Sequence, residues 1–215
     1  MGGFSGGSLM IEAALMGGAL PGPWSAWDFV GSTSLLASGA TTAEAKFPAG
    51  VQPGDLVVTI MSPLNETIRT TMSAGGWKHW VQGNQDYVCT ARYDLGLAAP
   101  AYSRAASNSI FVSVLAFRAQ GWSNVKLEAH VSPAAPVAVT TQLQNVLLLA
   151  VGVTPKTTRG WAVSMTGAEP TARVERVNAP ALQVYSANIG FPHQVTGVSV
   201  DALSGAERNL ILTVS

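Results

Sequence analysis

The chain has 215 residues with twelve Lys+Arg against twelve Asp+Glu and a net charge of zero, so it offers no basic face to follow a phosphate backbone, and nucleic-acid binding is excluded as its main role. With 47% hydrophobic residues and a mean hydropathy of +0.27 it is too apolar for disorder, yet no run approaches the roughly 20 apolar residues of a bilayer-spanning helix, so no membrane insertion is expected. The single cysteine, Cys89, forbids an intrachain disulfide, and His79, His130 and His193 are too scattered for zinc-ligand spacing, so neither metal nor cofactor is expected.

Residues 1–27 differ from the rest. Gly2, Gly3, Gly6, Gly7, Gly17, Gly18 and Gly22 stand among a single charge, Glu12, and Pro21 and Pro23 close the stretch. Ordering such a segment costs much entropy unless a partner surface compensates. No Lys or Arg precedes its apolar part, so it fails as a secretory signal. Ser8 can cap a short helix to Met16, ended by Gly17-Gly18. We read it as an arm whose Leu9, Met10, Ile11, Leu15 and Met16 dock on a neighbouring subunit, with Trp24 and Trp27 fixing its exit as partner contacts; a floppy terminus is the alternative. The pattern Gly3-Phe4-Ser5-Gly6-Gly7 formally matches a nucleophile elbow, but no strand can precede it.

From Asp28 to Ser215 the pattern is all-β. Runs rich in Val, Ile, Thr, Phe and Leu alternate with Gly, Pro, Asn and Ser clusters. The clearest strands are Asp55 to Met61, Asp86 to Tyr93, Ser109 to Arg118, Val146 to Val153, Ala181 to Asn188 and Leu210 to Val214. Weaker ones are Trp27 to Ser32, Lys126 to His130, Val137 to Thr141, Arg173 to Val177 and Gln194 to Val200. About ten strands predict a two-sheet antiparallel jelly-roll sandwich. In Ser109 to Arg118 both faces are apolar, so something covers the outer one: the arm, a loop or another chain. The halves also echo one another. Gly54-Asp55-Leu56-Val57-Val58, Gly76-Trp77, Ala91-Arg92-Tyr93 and Ile110 to Phe117 answer to Asn145-Val146-Leu147-Leu148-Leu149, Gly160-Trp161, Val184-Tyr185-Ser186-Ala187 and Leu210 to Val214. Pseudo-twofold halves explain this, with chance likeness between β-rich segments as the alternative.

Chemistry is sparse. His79 lies between Trp77-Lys78 and Trp80 with Asp86 nearby, the one cluster mixing titratable and aromatic groups, and Trp77, His79 and Trp80 on a loop could stack on and orient a sugar. Packing is the plainer use of these tryptophans. Asp55, Glu66, Asp86, Asp94 and Glu128 cannot be paired into a hydrolytic couple from sequence, and Gly54-Asp55 reads as the turn entering a strand. Cys89, between Val88 and Thr90, reads as a buried apolar thiol. The Asn65-Glu66-Thr67 sequon carries meaning only in a secreted chain. No catalytic residue is assigned, and no enzyme is expected.

Pro53-Gly54-Asp55-Leu56-Val57-Val58 after Phe47-Pro48-Ala49-Gly50-Val51-Gln52, then Gly76-Trp77, Ala91-Arg92-Tyr93 and Val112-Ser113-Val114-Leu115-Ala116-Phe117-Arg118, resembles a recurring β-sandwich module of tailed-bacteriophage and prophage virion proteins. The likeness covers roughly residues 29 to 118 and, more weakly, the remainder, and departs from the pattern at Arg92-Tyr93-Asp94, where a Tyr-Lys type pair is expected. It implies a concanavalin-like jelly-roll and a structural or adhesive role, with no catalytic residues. The expected protein is then a virion component of the tail, fibre-attachment or adsorption apparatus, made in the bacterial host cytoplasm, whose partners are other virion proteins and copies of itself. A capsid-decorating protein and a module binding host-surface glycan are the alternatives.

Overall fold

The computed structural model describes residues 27–63, 68–82, 85–131, 137–141, 146–153, 162–167, 171–179, 182–189, 193–201 and 208–215. Among them run fourteen strands and no helix: β1 (Asp28–Glu44), β2 (Leu56–Pro63), β3 (Thr70–Met72), β4 (Lys78–Gln82), β5 (Gln85–Arg92), β6 (Ala101–Arg118), β7 (Val125–Val131), β8 (Val137–Thr141), β9 (Val146–Val153), β10 (Ala162–Gly167), β11 (Thr171–Ala179), β12 (Leu182–Ile189), β13 (His193–Asp201) and β14 (Arg208–Val214). The expected count of about ten is too low. β3, β4 and β10 were not expected, and β1 and β6 run much further than their apolar cores suggest. Ser, Gly, Ala and Thr fill β1, and Tyr102-Ser103-Arg104-Ala105-Ala106-Ser107-Asn108 opens β6. Neither stretch favours a strand by itself, and each is held extended by pairing with the other, Glu44 opposite Ala101 and Ala37 opposite Ile110.

The strands pair as three sheets: β1-β6-β2-β5-β3 with β4 also on β5, β11-β12-β9-β14-β7, and β10-β13-β8. The first closes on itself, because β3 pairs with β6 as well as β5. Only Thr70 opposite Gln85 joins β3 to β5 through the parallel ladder, and side chains complete the seam. Gln85 Oε1 accepts the Thr70 N–H at 2.8 Å, its Nε2 donates to the Ile68 carbonyl at 3.0 Å, and Asp86 Oδ2 accepts the Met72 N–H at 2.8 Å.

Both faces of this sheet are covered, as the doubly apolar strands require. The cover is the chain itself. Inside the closure, Ile110, Val112, Val114 and Ala116 of β6 pack with Val57, Met61, Cys89, Tyr102 and Trp77. On the other face, Leu115 and Phe117 join Leu56, Val58, Ile60 and Val88 in one core with Leu147, Leu149, Val151, Val153, Val184, Leu210, Leu212 and Val214 of the second sheet. The third sheet adjoins the second through β13, which contacts β9 and β14.

The pairing repeats. The order β1-β6-β2-β5-β4 in the first half returns as β7-β14-β9-β12-β11 in the second. Leu56 faces Phe117 and Arg92, as Leu147 faces Val214 and Asn188. Thr90 faces Lys78, as Ser186 faces Val174. β13 pairs with β8 and β10 as the first part of β6 pairs with the end of β1 and with β3, so β6 corresponds to β13 plus β14, and β1 to β7 plus β8. The echo is therefore an internal duplication, except in one part. Gly76-Trp77 follows β3, whereas Gly160-Trp161, outside the described residues, precedes β10, the counterpart of β3; these two motifs are not equivalent.

Trp27 and Trp122, which introduce the two halves, meet with ring centroids 6.2 Å apart. The Arg92 guanidinium donates to the Trp122 carbonyl and the equivalent Asn188 donates to the Trp27 carbonyl at 3.2 Å, so each half ties down the start of the other. Trp27 is only 5% exposed, and within this chain its ring packs into the shared core. Because the core is shared, Trp122→Ala is expected to cost about 3–5 kcal/mol and to leave a single unfolding transition, checked by urea denaturation followed by tryptophan fluorescence and near-UV circular dichroism.

Candidate functional site

The ends of the motifs that carried the family resemblance meet in space. Gly54, at φ 97°, turns the chain so that Asp55 enters β2 almost fully buried. Arg118, at the end of β6, grips that carboxylate with two parallel bonds, Nε to Oδ1 and Nη2 to Oδ2, both 2.8 Å, and also donates to the Gly50 carbonyl at 3.0 Å. The Gln52 N–H adds a bond to Oδ2 at 2.8 Å. Trp122 Nε1 donates to the Gly54 carbonyl at 2.8 Å, and the Arg92 guanidinium lies 4.3 Å over the Trp122 ring. This is a joint between the halves, with every acceptor of Asp55 engaged. It leaves no carboxylate free for acid–base work.

A cleft of about 590 Å³ opens beside the seam of the closed sheet, lined by Arg69, Thr71, Met72, His79, Asp86, Ser103, Arg104 and Ala105. His79 lies on β4, not in a loop, and its Nδ1 is 3.2 Å from Asp86 Oδ2. A buried carboxylate orienting a half-exposed imidazole is two-thirds of a triad. The third part is missing among the described residues, since neither Thr71 nor Ser103, which line the same cleft, is hydrogen-bonded to His79. Asp86 is engaged in closing the sheet through Met72, so its first duty is structural.

The three candidate sugar-contacting residues do not form one platform. Trp77 is buried, its ring stacked near-parallel on Phe47 with centroids 6.2 Å apart and its Nε1 donating to the Ala98 carbonyl at 3.1 Å. Trp80 packs against the core on the other face of the sheet, donates from Nε1 to Thr90 Oγ1 at 3.0 Å, and carries Lys78 Nζ 4.1 Å over its ring. Trp77 and Trp80 thus serve opposite faces, and only His79 reaches the cleft. Asp94 caps the Gly96 N–H at 2.8 Å. Glu128 pairs with Lys126 and accepts from Thr213 Oγ1, both at 2.7 Å. Leu9, Met10, Ile11, Leu15, Met16, Trp24, Ser5, Glu66 and the sequon lie outside the described residues.

Cys89 is buried, as its setting in β5 predicts. Burial first, and the Asp86 charge second, push its thiol up from 9.0 to about 12. Tyr102, whose hydroxyl donates to Thr59 Oγ1 at 3.3 Å, is likewise raised, chiefly by burial and then by the Cys89 charge. What sequence missed is the Asp55–Arg118 pair, separated by 63 residues.

Comparison with protein-family models, curated proteins and solved structures gives no match.

Asp55→Asn and Arg118→Met are each expected to lower the urea midpoint, and the double substitution to lower it by less than their sum, because either change alone breaks the same pair; equilibrium unfolding of the three variants measures this. Native Cys89 is expected to resist iodoacetamide at pH 8 and to react fully in denaturant. The unfolded thiol ionises near 9 while the folded one holds its proton to about 12, so its contribution to stability is intact below pH 9 and is lost as the pH rises towards 12, checked by denaturation at stepped alkaline pH.

Proposed function

We propose that the chain is a non-enzymatic structural protein of a tailed-phage virion, in the tail, fibre-attachment or adsorption apparatus, anchored to neighbours by the arm of residues 1–27. The observation that carries this reading is the joint at Asp55. The Pro-Gly-Asp-Leu and Ala-Phe-Arg elements of the family pattern are the residues that build this scaffold, Arg118 gripping Asp55 while the Gly54 carbonyl receives Trp122. A likeness at structural joints supports a common module more than one at scattered apolar positions would. We read the finer architecture as a two-sheet jelly-roll sandwich, supported by the shared core between β2, β5 and β6 on one side and β9, β12 and β14 on the other.

The composition agrees with a place inside an assembly. Only 11% of residues are charged, which gives a free chain little electrostatic protection from association. The polar groups that could do chemistry, Asp55, Asp86, Cys89 and Tyr102, are engaged in holding strands together. Anchoring and presentation are then the mechanism: the arm adds interface, and the duplicated β-domain holds its loops outward. A capsid-decorating protein is the same reading at another site on the particle.

Quantitative mass spectrometry of particles purified from the strain carrying this gene is the test. A fixed copy number is expected, low for a tail component and in the hundreds for decoration; the chain's absence from washed particles overturns the proposal.

A further inference from the structure

β1 is the longest strand left at a sheet edge. It pairs with β6 on one side, and among the described residues no strand pairs with the other. Edge strands are normally short, bulged or charged, because their unpaired N–H and C=O groups are a template for another strand. The other edges among the described residues follow that rule. β8 has five residues and β10 six; β4 begins with Lys78, and β11 contains Arg173, Glu175 and Arg176. The duplicated counterpart of β1 is most telling, because it carries what β1 lacks: β7 has the Lys126–Glu128 ion pair, and the sequence between β7 and β8 holds Pro133 and Pro136. β1 has 17 residues and neither charge nor proline between Asp28 and Glu44.

Its irregularities are confined to its ends. Bulges fall between Phe29 and Gly31 and again beyond Ala37, leaving Gly31 to Ala37 in one-to-one register with Ala116 to Ile110. Along that stretch Ser32, Ser34 and Leu36 are the exposed positions. Leu36 is 54% exposed and shares only with Leu95 the distinction of a large exposed apolar side chain among the described residues. A half-covered leucine midway along an uncharged edge is what strand addition would bury.

We propose that Gly31 to Ala37 of β1 pairs antiparallel with the same stretch of a second copy, joining two sheets across a twofold axis. The occupant follows from what the edge demands. A partner strand must be long, regular, uncharged and unpaired, and among the described residues β1 itself is the strand that qualifies. A twofold perpendicular to the sheet keeps the Ser32-Ser34-Leu36 face on the same side in both copies, so the two Leu36 side chains extend one apolar stripe. Zero net charge imposes no long-range repulsion between copies. Asp28 and Glu44 lie outside the regular stretch, and Arg118 stands opposite Asp28 in the register. This inference is independent of the virion reading, and it needs no contact through residues 1–27.

The test uses the full chain. Light scattering on a sizing column over a concentration series is expected to give twice the 22.3 kDa of one chain. Ser32→Lys with Leu36→Lys, both at exposed positions, is expected to weaken self-association about 100-fold or more through like charges across the joint, with circular dichroism and thermal midpoint unchanged. Amide exchange in the parent supplies a readout that needs no variant: the amides of residues 31–37 are expected to slow as concentration rises. A parent that stays monomeric to its solubility limit, an oligomer that survives both lysines, or exchange at 31–37 that ignores concentration overturns the proposal; survival of the oligomer points instead to the arm.

Discussion

Leu56, Val58 and Ile60 turn their side chains out of the closed first sheet, and Leu147, Leu149 and Val151 turn theirs out of the second; the two sets bury each other in one core. Neither half has another surface for these residues. The chain therefore folds as a duplicated unit whose copies are obligatory partners, and the details at the junction reflect this. Trp27 and Trp122 meet where the halves begin, and the carbonyl of each is held by the equivalent residue of the opposite half, Asn188 or Arg92. A carbonyl at the edge of an apolar core costs free energy if left without a donor, so these bonds fix the approach of the halves as well as closing the polar account.

The copies are not identical, and the difference propagates. In the first half β6 is continuous for 18 residues, so one strand serves the inner sheet and then bends on to meet β3 and close it. Its partner β1 is continuous for the same reason. In the second half the corresponding strands are β13 and β14, and β8 and β7, with β13 and β8 in the three-stranded sheet and β14 and β7 in the five-stranded one. Continuity in β6 gives the first half two features: a sheet that closes on itself through β3, with Gln85 and Asp86 at the seam, and a long edge along β1.

How much of this was legible depends on where the information resides. Strands with apolar residues on both faces were readable, and β9 falls where expected, because burial on two sides leaves a continuous Val/Leu signature. The first part of β6 and the second part of β1 were not, since their extended state is dictated by mutual pairing. β4 was hidden because Lys78, His79 and Gln82 interrupt the apolar pattern, and β3 because three residues carry no period. Asp55 was readable as a turn residue but Arg118 as its partner was not, since register sets that pair. The duplication was visible in the strands and wrong at the Gly-Trp motifs, which resemble each other without occupying equivalent positions. Trp77 and Trp80 illustrate a further limit: three residues apart in sequence, they look like a cluster, yet strand alternation assigns them to opposite faces.

The scarcity of charge follows from the same architecture. A sheet covered on both faces leaves ionisable groups few places beyond strand ends, turns and edges, and many of those described sit there: Asp55 and Arg118 at the ends of β2 and β6, Arg92 at the end of β5, Lys78 at the start of β4, Lys126 and Glu128 on the edge strand β7; Arg104, buried within β6, is an exception. With so few charges available, an edge that is both long and without charge is a departure from the others among the described residues, which are either short, as β8 and β10 are, or charged. The polar uncharged residues along β1 keep the strand tolerable in water while leaving its backbone open to a ladder. Charge at Ser32 or Leu36 would cost this fold little, since both positions are exposed, so stability alone gives no reason for the edge to stay neutral; pairing does.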